Sequence, residues 1–235
     1  MIDKRAIFDK AFLNVLSYLE SEKECQNIEF QVGDSVSAHE LAGWDRTNAP
    51  FQLPTDVKRF YSLFNGIDVT WQTEIGDKVI QMGEIKVPKL KELQRVSIVD
   101  CICDFNNWKD VTVQPPTDFK TCGAFTVESC DSGDVILLFD ESQKVSGGET
   151  GGSQSSGSSC SPIVCLMDRC GRLHYICQSF RQYLRLMVLH LGIRGWQLAF
   201  TPEGLPPATQ QWMNYFCKER LITDLYSNDV LLRDK

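Results

Sequence analysis

The 235 residues carry 24 Lys and Arg against 31 Asp and Glu, a net charge of −7, with 43% hydrophobic and 23% charged residues. This composition excludes long-range disorder, collagen and coiled coil as the main state, and the chain is long enough to build a core without staples. An acidic chain also argues against nucleic acid as a partner, because phosphate binding needs an excess of Lys and Arg. The longest strongly apolar stretch, residues 184–191, is far below the roughly 20 residues of a bilayer span, so no membrane partner is expected. Met1-Ile2-Asp3-Lys4-Arg5 alternates charge without an apolar signal core, and an intracellular protein is expected.

Along the chain, Phe8, Phe12, Val15, Leu16 and Leu19 fall on one helical face and predict a helix over residues 3–21. Ile28, Phe30 and Val32 alternate with polar neighbours, the pattern of a half-buried strand ending at Gly33-Asp34. A short helix is expected over 38–46, with Leu41 and Trp44 on one side. The segment 53–66, LPTDVKRFYSLFNG, is the clearest local signal. Pro54 suits a first helical position, Asp56 complements the helix dipole, Val57, Phe60, Tyr61 and Phe64 form the apolar stripe, and Asn65-Gly66 is a left-handed stop. A strand follows over 68–74, and 78–82 with 84–87 read as another strand or two after a turn at Gly76-Asp77.

Residues 97–121, with Pro115-Pro116, read as a variable excursion. Strands at 122–128 and 134–139 flank the turn Asp131-Ser132-Gly133. In 141–161, 13 of 21 residues are Gly or Ser, too few apolar groups to offset ordering, so a flexible loop is expected. Two more strands, 163–167 and 173–177, precede a mostly buried helix carrying Phe180, Tyr183, Leu184, Met187, Val188 and Leu191 and ending at Gly192. A last helix over 208–218 carries Trp212, Tyr215 and Phe216, and the remainder shows no clear pattern. Helix, then antiparallel strands, then helices is an α+β arrangement. The expected organisation is a single domain over 1–218, mostly antiparallel sheet packed by N-terminal and C-terminal helices, followed by a tail over 219–235.

Motifs for chemistry are sparse. The ten cysteines include no Cys-x-x-Cys pair and only His39, His174 and His190 add imidazoles, so reduced thiols packed as small hydrophobes are expected rather than zinc or disulfides. No glycine-rich phosphate loop and no Gly-x-Ser-x-Gly elbow is present. No catalytic residue, metal or cofactor is assigned, which shifts weight toward binding, although active sites also assemble from scattered residues. Residues 168–212 hold five Arg against two acids, a local +3 on an acidic body. Arg181, Arg185, Arg194, Trp196 and Trp212 are the candidate protein-interface residues, since Arg and Trp are enriched at interface anchors. Solvated Arg heads covering apolar surface, and tryptophans packed in the core, are the competing reading.

Residues 53–71, LPTDVKRFYSLFNGIDVTW, resemble the helix-to-strand core of the SUKH superfamily, which includes the yeast cell-wall assembly regulator and many bacterial toxin-immunity proteins. That likeness implies a fold and no particular task. The segments 128–140, 163–176 and above all 180–212, with His-Leu-Gly, two residues and Trp-Gln-x-Ala-Phe-Thr at 190–201, are similar to the family of second subunits of tubulin polyglutamylase complexes. The family resemblance implies a non-catalytic scaffold or adaptor without a cofactor. Its partners would be the other protein subunits of such a complex. One of them would be a tubulin tyrosine ligase-like enzyme that uses ATP to add glutamates to tubulin tails. Microtubules would be contacted indirectly, since tubulin tails are acidic and repel a body of net charge −7 within a Debye length. Cytoplasm and cytoskeleton, including the centriole or ciliary base, are the implied locations. A SUKH-type module regulating a different client, or an enzyme in its own right such as a thiol-dependent one, are the alternatives.

Overall fold

The computed structural model describes residues 3–103, 116, 118–140 and 161–233. Much of the expected excursion over 97–121, and all but the last residue of the expected Gly/Ser loop at 141–161, lie outside the described residues.

The stripe over 3–21 forms two helices instead of one, α1 (Lys4–Ala11) and α2 (Val15–Ser21). The chain breaks at Leu13 and Asn14, whose φ values are +60° and +57°. Asp9 supplies the reason. Its carboxylate accepts the Leu16 N–H at 2.7 Å and bonds the Ser17 hydroxyl, so a side chain of α1 caps the open N–H groups of α2. The apolar face survives the break, and Phe8, Phe12, Val15, Leu16 and Leu19 all reach the core.

Strand β1 (Gln26–Val32) leads to α3 (Ala38–Thr47), which opens with a capping box between Ser37 and Glu40. Helix α4 (Thr55–Tyr61) starts one residue later than Pro54, which is the cap, its carbonyl accepting the Lys58 N–H at 3.0 Å. Strands β2 (Ile67–Ile75) and β3 (Lys78–Val87) complete an antiparallel sheet of order β1-β2-β3. In β2 every second residue, Ile67, Val69, Trp71 and Thr73, is buried, as the two-residue period of a strand requires. The expected pieces 78–82 and 84–87 are one strand, whose register slips opposite Trp71 and Gln72.

The second sheet has the order β4-β6-β7-β8-β9-β5. Its members are β4 (Arg95–Val96), β5 (Ile102–Cys103), β6 (Cys122–Cys130), β7 (Gly133–Asp140), β8 (Ile163–Asp168) and β9 (Arg172–Cys177). Every pairing is antiparallel except β5 on β9. This sheet is buried on both faces. Val135, Leu137 and Phe139 of β7 join the main core, while Ile136 and Leu138 point the other way into a smaller cluster with Ile163, Cys165 and Leu173.

Helices α5 (Phe180–Leu189), α6 (Pro207–Phe216) and α7 (Lys218–Arg233) follow, with a 3-10 turn at Trp196–Phe200. The segment expected as an unpatterned tail, 219–235, is therefore helical through Arg233. Leu221 of this helix enters the core, and Asp224 is buried against His190 at the end of α5. The main core is strongly aromatic. Phe8 stacks on Phe12 at 4.4 Å, Phe60 meets Phe180 edge-on at 5.4 Å, and Trp71 meets Phe216 at 4.8 Å. The fold class is α+β, as expected from the order of elements.

Candidate interaction surface

The segment after α5 joins the two sheets to the C-terminal helices. Leu191 and Gly192 adopt φ values of +54° and +63°, which turns the chain out of α5 and onto β3. The Gly192 carbonyl accepts the Glu84 N–H at 2.9 Å, and a Cβ at Gly192 would stand 2.3 Å from the Glu84 carbonyl oxygen. One step away, the Trp71 indole N–H donates to the Leu191 carbonyl at 2.8 Å, and Gly83 pairs with Ile193. Trp196 is stacked between the His190 ring at 4.4 Å and the Tyr183 ring at 5.7 Å. His190 places Nδ1 2.6 Å from the Leu186 carbonyl and Nε2 2.9 Å from an Asp224 carboxylate oxygen, and Arg220 grips the same carboxylate. The motif at 190–201 is thus the structural joint of the molecule.

The five candidate interface residues divide accordingly. Trp196, 1% exposed, belongs to this joint and not to the surface, which corrects its assignment as an interface anchor: the ring is sandwiched by His190 and Tyr183. Trp212 is half-buried on α6 against the main core. Arg194 is exposed on the loop, 3.9 Å from Asp131. Arg181 and Arg185 are exposed one turn apart on α5, and among the described residues neither guanidinium is paired with a carboxylate. The Arg181 backbone N–H donates to Asp56 of α4 at 3.0 Å.

Arg194 borders a polar cavity of about 240 Å³ walled by β3, the β6–β7 turn and the loop, with Glu84, Lys86 and Arg169 on its rim. Glu128 stands in its wall. The Tyr183 hydroxyl donates to one carboxylate oxygen and Gln197 Nε2 to the other at 2.9 Å. Burial raises the Glu128 carboxyl from 4.5 to about 7, and the nearby Glu84 charge pushes the same way. With both oxygens taken by protein donors, this carboxyl ties α5 and the 196–200 turn to β6. A second depression, of about 470 Å³, is apolar. Leu13, Tyr18, Leu189 and Tyr215 edge it at 41–64% exposure, above a floor of Val188 and Phe216. Sequence reasoning missed it, although the spill of Leu189 beyond the buried face of α5 was its one local signal.

The nine cysteines among the described residues are free thiols, five of them buried. Burial pushes Cys25, Cys177 and Cys217 up to about 12, so they are protonated at neutral pH. Among the described residues, no group of three or more His, Cys, Asp or Glu is placed to hold a metal ion. Nor is any helix of those residues long and apolar enough to cross a membrane.

The human protein named Tubulin polyglutamylase complex subunit 2 is 24% identical to this chain over 235 aligned residues, 94% of this chain and 74% of the human protein. The chain is similar to that subunit. The rat and mouse proteins of the same name are 24% and 23% identical over 222 residues, covering 88% of this chain and 71% of theirs. No family model matches the chain. No solved structure matches it either, and the SUKH likeness rests on the motif at 53–71.

Proposed function

We propose that this chain is a non-catalytic adaptor subunit of a tubulin polyglutamylase complex, supporting a tubulin tyrosine ligase-like enzyme that adds glutamates to tubulin tails. The observation that carries the reading is the likeness, along 94% of the chain, to a protein named as a subunit of that complex. The structure is in keeping with it, because both carboxyl oxygens of Glu128 accept from the protein's own Tyr183 and Gln197. Charge supports an indirect role. Tubulin tails are acidic and the chain is −7, so the two repel within a Debye length of about 8 Å. The ligase-like partner reads the tail, and this subunit works at microtubules in the cytoplasm and at the ciliary base through that partner.

Two measurements test this. Affinity purification of the tagged chain from cells, followed by mass spectrometry, is expected to recover a tubulin ligase-like enzyme, and a partner set lacking one overturns the reading. Recombinant chain incubated alone with tubulin, ATP and glutamate is expected to leave tubulin unmodified, and glutamylation by the isolated chain overturns its adaptor role.

A further inference from the structure

Arg181, Arg185 and Leu189 are exposed at four-residue steps on α5 and so form one stripe along its outer face. The stripe changes character along its length. Its first two residues are exposed cations without a carboxylate partner among the described residues, on a protein of net charge −7. Its last residue is an edge of the apolar groove that α5 forms with Leu13, Tyr18 and Tyr215. Four large apolar side chains around one depression, floored by buried Val188 and Phe216, form a contiguous patch of the kind that marks an interaction site. The charged groups bordering the groove are Lys218, Glu219 and Arg220, with Glu22 beside Tyr18; Arg220 is held by Asp224.

We propose that this surface docks an amphipathic helix of a partner subunit, with acidic residues against Arg181 and Arg185 and large apolar residues in the groove beyond Leu189. The spacing sets the register. From residue 181 to 189 is about 12 Å of helix, so the partner's acidic pair lies about eight residues from its apolar anchors. Charge complementarity chooses the occupant. Two exposed guanidiniums at one end favour Asp or Glu there, and an apolar peptide alone would leave them unanswered. This proposal rests on the chain being a complex subunit, and it names the face that the assembly uses.

The test uses the full chain in the complex recovered from cells. Hydrogen exchange is compared between free chain and assembly, and three variants are purified alongside: Arg181→Glu with Arg185→Glu, Leu189→Asp, and Val79→Asp as an exposed apolar control on β3. Tyr215→Asp replaces Leu189→Asp if the latter melts early. Expected are protection of 181–191 and 213–220 on assembly, about tenfold less co-purified ligase-like enzyme with the arginine pair and with Leu189→Asp, and no loss with Val79→Asp. Assembly that survives the α5 variants without protection of these segments overturns this docking face alone. Recovery of no ligase-like enzyme by the unaltered chain overturns the subunit reading and this proposal together. Reversible dimerisation of the pure chain in sedimentation, abolished by Leu189→Asp, overturns the partner helix in favour of a second copy.

Discussion

Glu128 makes folding stability depend on pH in a window where most carboxyls are silent. Its carboxyl lies against Tyr183 and Gln197, and burial raises it from 4.5 to about 7. The folded protein therefore keeps this proton up to about pH 7, whereas the unfolded chain releases it near 4.5. Between those values the folded state binds the extra proton, so stability falls as pH rises, by about 1.4 kcal/mol per pH unit. The full difference is about 3 kcal/mol, complete above pH 7 and absent below 4.5. Glu128→Gln removes the titration while keeping an amide of the same shape. Urea denaturation at pH 5.5 and pH 8 checks it: the native chain is expected to lose about 2 kcal/mol more than the variant between the two. All other titrating groups are common to both proteins and cancel in that difference. Equal losses would refute the assignment of a protonated carboxyl to this wall.

Three further outcomes test the packing. Gly83→Ala brings a Cβ within 2.0 Å of the Trp71 indole nitrogen and 2.4 Å of the Leu191 carbonyl, so it is expected to cost about 3 kcal/mol, read as a lower urea midpoint. Phe60→Ala, at a site 5% exposed and in edge contact with Phe180, is expected to cost roughly 3–5 kcal/mol by the same measurement. Asp224→Ala leaves His190 and Arg220 without their shared carboxylate and is expected to cost about 3 kcal/mol. Faster hydrogen exchange in α7, with β7 unchanged, would locate that loss, whereas uniform weakening would show that the clasp holds more than the last helix.

Local periodicity carried most of the fold. The stripe at 180–191 and the alternation in β1 and β2 were legible because each element buries one continuous face. The break between α1 and α2 was not, because Asp9 acts across seven residues to cap a helix whose apolar spacing never falters. Helix α7 escaped notice because Leu221 and Asp224, its buried side chains among the described residues, pair one apolar group with one carboxylate and leave no stripe. Trp196 misled for a related reason. An amphipathic ring beside arginines reads as a surface anchor, and only the fold brings His190 and Tyr183 onto its two faces. The apolar groove was beyond local reading altogether, since Leu13, Leu189 and Tyr215 come from three distant stretches.

The double coverage of the larger sheet limits where recognition can take place. Strands β7 and β8 have neither a wet palm nor an open back, so no flat β-surface remains there for another protein to lie on. Substitutions in those strands should act on abundance before they act on assembly, whereas those on the outer helix faces should do the reverse.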